Sequence, residues 1–259
     1  MNYTTIQVSS DGPVQTITLN RPERRNAMTP EMQIELISAF EAAASGDCSV
    51  LVLTGAGQAF CSGLDLSAIQ AMQHSSASAH RGDTERLARL FRTLWELPVP
   101  TIAAVRGPAI AGGAGLATVC DFALASPDAS FGFTEVRIGF IPAIVSAFLE
   151  LQAGGRHAGD LLLTGRIVDA GEALGVGLIN EIVPGDRLDE RVRALASKLL
   201  ENSPQSLRET KRLLRLLHKP WLDAAIDSAI EAGTRSRGSS DFAEGIAAFL
   251  GKRKPVWGK

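Results

Sequence analysis

The feature that most constrains this chain is an alternation, through its first two-thirds, of short apolar runs with segments of helical spacing. Val50-Leu51-Val52-Leu53-Thr54, Ile102-Ala103-Ala104-Val105 and Phe122-Ala123-Leu124-Ala125 are too short for helices and apolar enough for buried strands. Residues 3–9 and 13–20 alternate loosely around Asp11-Gly12-Pro13, which reads as a β-hairpin. Thr29-Pro30-Glu31 supplies an N-cap, a proline for the first turn and an early acid, and Met32, Leu36, Ala39, Phe40 and Ala43 follow at helical spacing. Helical patterns recur at about 84–97 and 112–119. Strand and helix in turn predict an α/β core with parallel pairing.

The pattern changes near residue 185, which divides the chain into segments 1–185 and 186–259. Helical patterns then follow one another at about 187–200, 204–217, 221–236 and 240–250, with no clear strand. The small, polar stretch 74–82, with His74 and His80, reads as a mobile loop. His157 and His218 read as helix-surface side chains.

Composition excludes several function classes. Twenty-six Lys+Arg against 28 Asp+Glu give a net charge of −2, so nothing global recruits nucleic acid. Aromatic residues make up 5%, too few for a single-strand stacking platform. Cys48, Cys61 and Cys120 form no C-x-x-C pair, which argues against a disulfide framework or a metal site and for a reducing compartment. The N-terminus shows no secretory pattern, and the weakly polar, glycine-rich stretch without a charge between Arg106 and Asp121 is well short of the ~20 residues of a membrane span. The expectation is a cytoplasmic protein with no membrane or nucleic-acid partner.

Two glycine-bearing turns follow apolar runs: residues 54–66, which include Gly55-Ala56-Gly57 and Cys61-Ser62-Gly63-Leu64-Asp65-Leu66, and residues 106–117, which include Ala111-Gly112-Gly113-Ala114-Gly115. Small residues opening a helix leave its first N–H groups bare, and two such turns on adjacent strands could aim one N–H each at a single carbonyl oxygen. Either turn alone reads first as a close-packed strand-to-helix connection. Glu135, in Phe133-Thr134-Glu135-Val136-Arg137, is an acid among apolar neighbours; burial would raise its pKa and suit it to proton transfer. The alternative is an ion pair with Arg137 or another arginine.

Two further motifs are weaker. Gly113-Ala114-Gly115-Leu116-Ala117-Thr118 begins like G-x-G-x-x-G but has Thr118 at the third glycine, so a dinucleotide-dependent oxidoreductase is a lesser reading. Cys61 and Ser62 lack the context of a nucleophile.

At these residues the chain resembles the enoyl-CoA hydratase/isomerase (crotonase) family along nearly its whole length. The resemblance is carried by Leu19-Asn20-Arg21-Pro22 with Asn26-Ala27-Met28, by Ala59 to Leu66, and by Ile102 to Gly107 with Ala111-Gly112-Gly113 and Cys120-Asp121. It continues through Leu163-Thr164-Gly165-Arg166, Gly177-Leu178-Ile179-Asn180 and Glu244 to Leu250. It implies a spiral of ββα units in 1–185, a helical trimerisation region in 186–259, a homotrimer or dimer of trimers, and an acyl-CoA substrate with no further cofactor. By resemblance the N–H groups of Leu64 and Gly112 hold the thioester oxygen, and Glu135 is the catalytic acid/base. Coenzyme A would meet Arg24, Ala59, Ser62, Asp65, Leu66, Phe249 and Lys252, the last two matching positions that reach a neighbouring subunit in some relatives. Lys252-Arg253-Lys254 reads equally as a solvated tail.

One departure matters. Hydratases with two catalytic glutamates carry the first three residues after the oxyanion-hole glycine, and here that position is Gly115. A single glutamate is typical of Δ3,Δ2-enoyl-CoA isomerases, and also of some hydratases of branched or acidic enoyl-CoAs. The residues around Glu135 look most like bacterial methylglutaconyl-CoA hydratases. Hydration therefore leads, with isomerisation next and CoA binding without turnover more remote.

Overall fold

A computed structural model describes residues 3–73 and 75–258. The opening hairpin forms as expected, β1 (Ile6–Asp11) antiparallel to β2 (Val14–Leu19). In α1 (Pro30–Ser45), Thr29 Oγ1 accepts from the Met32 N–H at 3.2 Å and Pro30 occupies the first turn. Then come β3 (Val50–Gly55), α2 (Leu66–Ala71), α3 (Ala77–Glu96), β4 (Thr101–Val105), β5 (Pro108–Ile110) and α4 (Gly112–Val119). β6 (Phe122–Ala125), β7 (Ser130–Gly132), a 3-10 turn at Glu135–Ile138 and α5 (Ala143–Thr164) follow. β8 (Ile167–Asp169), α6 (Ala170–Gly175) and β9 (Glu181–Ile182) precede three helices: α7 (Leu188–Leu200), α8 (Pro204–Arg237) and α9 (Ser240–Leu250).

The main sheet runs β1-β2-β3-β4-β6-β9, parallel except for the hairpin. The period of two along its central strands explains why they are apolar throughout. Leu51, Leu53, Ala103, Val105, Ala123 and Ala125 face the large core with α1, α3, α4 and α5. Val50, Val52, Ile102, Ala104 and Leu124 face a second cluster completed by Leu188, Val192, Ala196 and Leu199 of α7. The helical region is thus partly a layer on the sheet, and Leu222, Ile226 and Ala229 of α8 enter the large core itself.

Three expectations are corrected. The polar stretch 74–82 is helical from Ala77, because Ser76 Oγ caps the Ala79 N–H (3.3 Å). His80 is consequently buried, its Nε2 3.0 Å from Met72 O, whereas His74 lies outside the described residues. The helices expected at 204–217 and 221–236 are one continuous α8 with Pro220 inside it. Pro220 is exposed, so water can satisfy the carbonyl that its missing N–H frees. A second sheet, β5-β7-β8, has strands of three residues, too short to show a period. His157 and His218 are exposed, as expected. Among the described residues no helix is long and apolar enough to cross a membrane.

Candidate active site

The two glycine-bearing turns are joined to each other by backbone. Cys61 bridges Ala109 in parallel, its N–H donating to Pro108 O (3.2 Å) and its carbonyl accepting from the Ile110 N–H (2.8 Å). A Cβ at Gly113 would lie 2.2 Å from Cys61 O, so the approach is open to glycine alone. On the other edge, Met28 N–H donates to Gly63 O (2.7 Å) and Met28 O accepts from the Asp65 N–H (2.9 Å). Successive N–H groups of an extended chain point to opposite sides, so the Leu64 N–H faces away from Met28. Gly112 opens α4, where the first N–H groups have no partner within the helix. Among the described residues neither the Leu64 nor the Gly112 N–H is hydrogen-bonded. A Cβ on Gly63 would sit 3.6 Å from Gly112 N, so the two bare donors belong to touching segments.

The residue that aims Gly112 is under strain. Ala111 has φ 54° and ψ −127°, outside the regions favoured by L-residues, and its N–H is anchored on Gly132 O at 2.6 Å.

Glu135 opens the 3-10 turn, which ends on Gly139 in the left-handed region. The carboxyl is buried, Oε2 has no hydrogen-bond partner among the described residues, and burial pushes its pKa up to about 7. It forms no ion pair with a described arginine; Arg137, the expected alternative partner, is exposed.

Leu64, Gly112 and Glu135 line one cavity of about 490 Å³. Ser62, Leu66 and Phe249 line it too, so six of the expected site residues are together on one wall system. Phe249 reaches this chain's own cavity because α9 packs back on the 3-10 turn, with Phe242 stacked on Phe140 at 4.4 Å between centroids. The other four stand apart. Arg24 and Lys252 are exposed, and their neighbours Arg25 and Arg253 line the cavity instead. Ala59 is buried, its carbonyl accepting from Asn26 Nδ2 (2.8 Å). Asp65 caps α2 through the Ser67 and Ala68 N–H groups and pairs with Arg21 at 3.1 Å.

Gly115 is more than a missing carboxylate. A Cβ there would lie 2.5 Å from Val145 Cγ1 and 2.7 Å from Phe91 Cε1, so the space is filled. Gly113, Ala114 and Gly115 are buried and, unlike Gly112, do not line the cavity, so the G-x-G stretch presents no surface there to a pyrophosphate. Cys61 is no nucleophile: burial pushes its thiol up to about 12.

Two contributors escaped the sequence reading. Asn26, fully buried, donates to the carbonyls of Ala56, Ala59 and Phe60 and fixes the first turn from beneath; its place in Asn26-Ala27-Met28 was the available signal. Arg237, at the end of α8, lines the cavity from more than 100 residues downstream of the turns, and nothing local marks it.

Residues 10–259 match the family model described as enoyl-CoA hydratase/isomerase. A Thermus thermophilus protein assigned by name to the enoyl-CoA hydratases is 43% identical over 94% of this chain and 97% of its own length. The 2,3-dehydroadipyl-CoA hydratase of Escherichia coli is 34% identical over 96% of each. The crystal structure of an enoyl-CoA hydratase/isomerase from Xanthobacter autotrophicus Py2 superposes with a TM-score of 0.90 at 35% identity, covering 96% of this chain and 94% of that one. The fold is accordingly the α/β crotonase fold with a helical C-terminal region, and the chain belongs to the enoyl-CoA hydratase/isomerase family of acyl-CoA enzymes.

Proposed function

We propose that this chain is an enoyl-CoA hydratase, a lyase that adds water reversibly across the C2–C3 double bond of a 2-enoyl-CoA. Its hydratase-named relatives and its family support activity on an acyl-CoA. The observation that carries the mechanism is a buried, partnerless carboxyl in the same cavity as two bare N–H donors. The Leu64 and Gly112 N–H groups take the thioester oxygen. Ionised Glu135 takes a proton from water as its oxygen bonds to C3, and the charge moves onto the held oxygen as an enolate. Glu135 then gives that proton to C2. One carboxyl performs both transfers in turn, and no resident cofactor is needed because coenzyme A arrives with the substrate.

Ser62, Leu66 and Phe249 would border the thioester and pantetheine, Arg24 and Lys252 would offer exposed charge to the phosphates, and Ala59 and Asp65 would act by bracing the loop. The local likeness around Glu135 favours branched or acidic acyl chains such as methylglutaconyl-CoA. Leu213, Leu214, Leu217 and Trp221, exposed on α8, would assemble a homotrimer or a dimer of trimers, which light scattering would size. Three buried free thiols accord with a cytoplasmic location.

The purified protein should remove the enoyl absorbance of crotonyl-CoA and methylglutaconyl-CoA, and Glu135→Gln should slow this by at least ~10²-fold. The filled space at Gly115 favours one second reading, a Δ3,Δ2-enoyl-CoA isomerase using the same carboxyl. Clean conversion of a 3-enoyl-CoA with no hydration of either 2-enoyl-CoA would establish that reading instead.

A further inference from the structure

The end of the cavity bordered by α3 and α8 carries a fixed positive charge. Thr84, Leu87, Phe140, Gly233 and Arg237 line it. Arg237 is buried, with a side chain 3% exposed, and its guanidinium lies 5.3 Å from the centre of the Phe140 ring. Its Nε donates to Thr84 Oγ1 (3.2 Å) and its Nη2 lies 2.5 Å from Asp83 Oδ2. No hydrogen bond among the described residues holds Nη1.

The charges here do not balance. Asp83 is shared with a second guanidinium, Arg86, whose Nε donates to the neutral Gln33 Oε1 at 3.0 Å. Two cations thus share one carboxylate, and the other partners of both are uncharged. Burial and the charge of Arg86 together hold the Arg237 pKa down to about 10, as an under-compensated cation requires. The other arginines of the cavity differ: Arg25, Arg137 and Arg253 are exposed, and Arg253 is paired with Glu244. An uncharged acyl tail would leave this excess unanswered, whereas a tail ending in a carboxylate would neutralise it and supply acceptors for a planar donor fork.

We propose that Arg237, held by Asp83 and Thr84, is the specificity residue that receives a carboxylate on the acyl chain of the substrate. This rests on the reading of the cavity as an acyl-CoA site and deepens it, because it makes a dicarboxylic acyl group the preferred class.

The test compares thioesters of equal length with and without the charge. Binding of adipoyl-CoA and hexanoyl-CoA to the full chain would be measured by titration calorimetry, independently of turnover. The wild type should bind adipoyl-CoA ~10-fold or more tightly than hexanoyl-CoA. Arg237→Gln should abolish that preference while leaving hexanoyl-CoA affinity within ~3-fold of wild type. Arg237→Lys, which keeps the charge but not the fork, should retain part of it. Equal or weaker wild-type binding of adipoyl-CoA would overturn the proposal whatever the variants do, as would equal losses for both ligands in a folded Arg237→Gln. Failure of the hydration assay with these affinities intact would refute the proposed reaction and not the carboxylate site.

Discussion

At Glu135 the demands of catalysis and of stability oppose each other, and pH separates them. The general base is the ionised form, so kcat/KM for hydration should climb with pH and level off above about 7, where the buried carboxyl titrates. Stability runs the other way. The unfolded chain releases this proton near the ordinary value of 4.5 while the native state keeps it to about 7. Between those values unfolding releases a proton, so stability falls as pH rises, by roughly 3 kcal/mol at about 1.4 kcal/mol per unit. Glu135→Gln should therefore be inactive yet melt higher than wild type at pH 8, the difference closing towards pH 4.5; equal melting at both would show that Glu135 is not desolvated. Gly115→Glu should not restore a second carboxylate. Val145 and Phe91 fill the space, so the variant should lose at least ~1–3 kcal/mol in urea unfolding and gain no hydration rate.

The carboxyl is positioned by contact between two short elements. A Cβ at Gly245 of α9 would lie 2.1 Å from Ile138 O, and one at Gly139 would lie 2.3 Å from Asp241 O, so backbone touches backbone along the 3-10 turn. Gly245→Ala should push α9 off the turn that carries Glu135 and misplace the carboxyl. A fall in kcat of ~10²-fold is expected, because misplacement alone can cost that much, together with a loss of at least ~1–3 kcal/mol in urea unfolding, because the Cβ meets backbone that cannot swing aside; an unchanged kcat in the folded variant would separate α9 from the geometry of the site. This contact also shows what a sequence can reveal. The hairpin, β3, β4, β6, both turns and Glu135 were legible, each being signalled by adjacent residues: an apolar run, a glycine cluster, an acid among phenylalanines. Residues 77–82 were misread because their small, polar composition hides a helix that Ser76 caps and that buries His80 and Thr84. The patterns at 204–217 and 221–236 were separated by a gap that α8 spans without interruption, Pro220 included. Gly245 and Arg237 matter only through partners about 100 residues or more away, which no local pattern specifies.

The whole molecule is tied together at Asp121, beyond the end of α4. Its Oδ2 accepts from Thr101 N–H (2.8 Å), Thr101 Oγ1 (2.9 Å) and Lys211 Nζ (2.6 Å), and its Oδ1 from Arg215 Nη2 (2.5 Å). Lys211 also donates to Val99 O (2.8 Å), and Arg215 lies over the Trp95 ring at 3.4 Å. One carboxylate thus fastens the first half of α8 to β4 and α3, and the far half of the same helix carries Gly233 and Arg237 to the cavity. Burial already holds the Lys211 pKa down, and the attraction of Asp121 is what opposes it. Asp121→Asn keeps the shape and an acceptor oxygen for Thr101 but leaves the buried Lys211 and the half-buried Arg215 without their anion, at a cost of ~3–5 kcal/mol near neutral pH. Lys211 in that variant should shed its proton more readily than in the unfolded chain. Unfolding then takes up a proton, so the variant regains stability as pH rises towards the ordinary lysine value. Urea titrations at pH 7 and pH 9.5 should show a large deficit relative to wild type at the lower pH and a smaller one at the higher. A deficit independent of pH would mean that packing, and not the buried charge of Lys211, is what Asp121 secures.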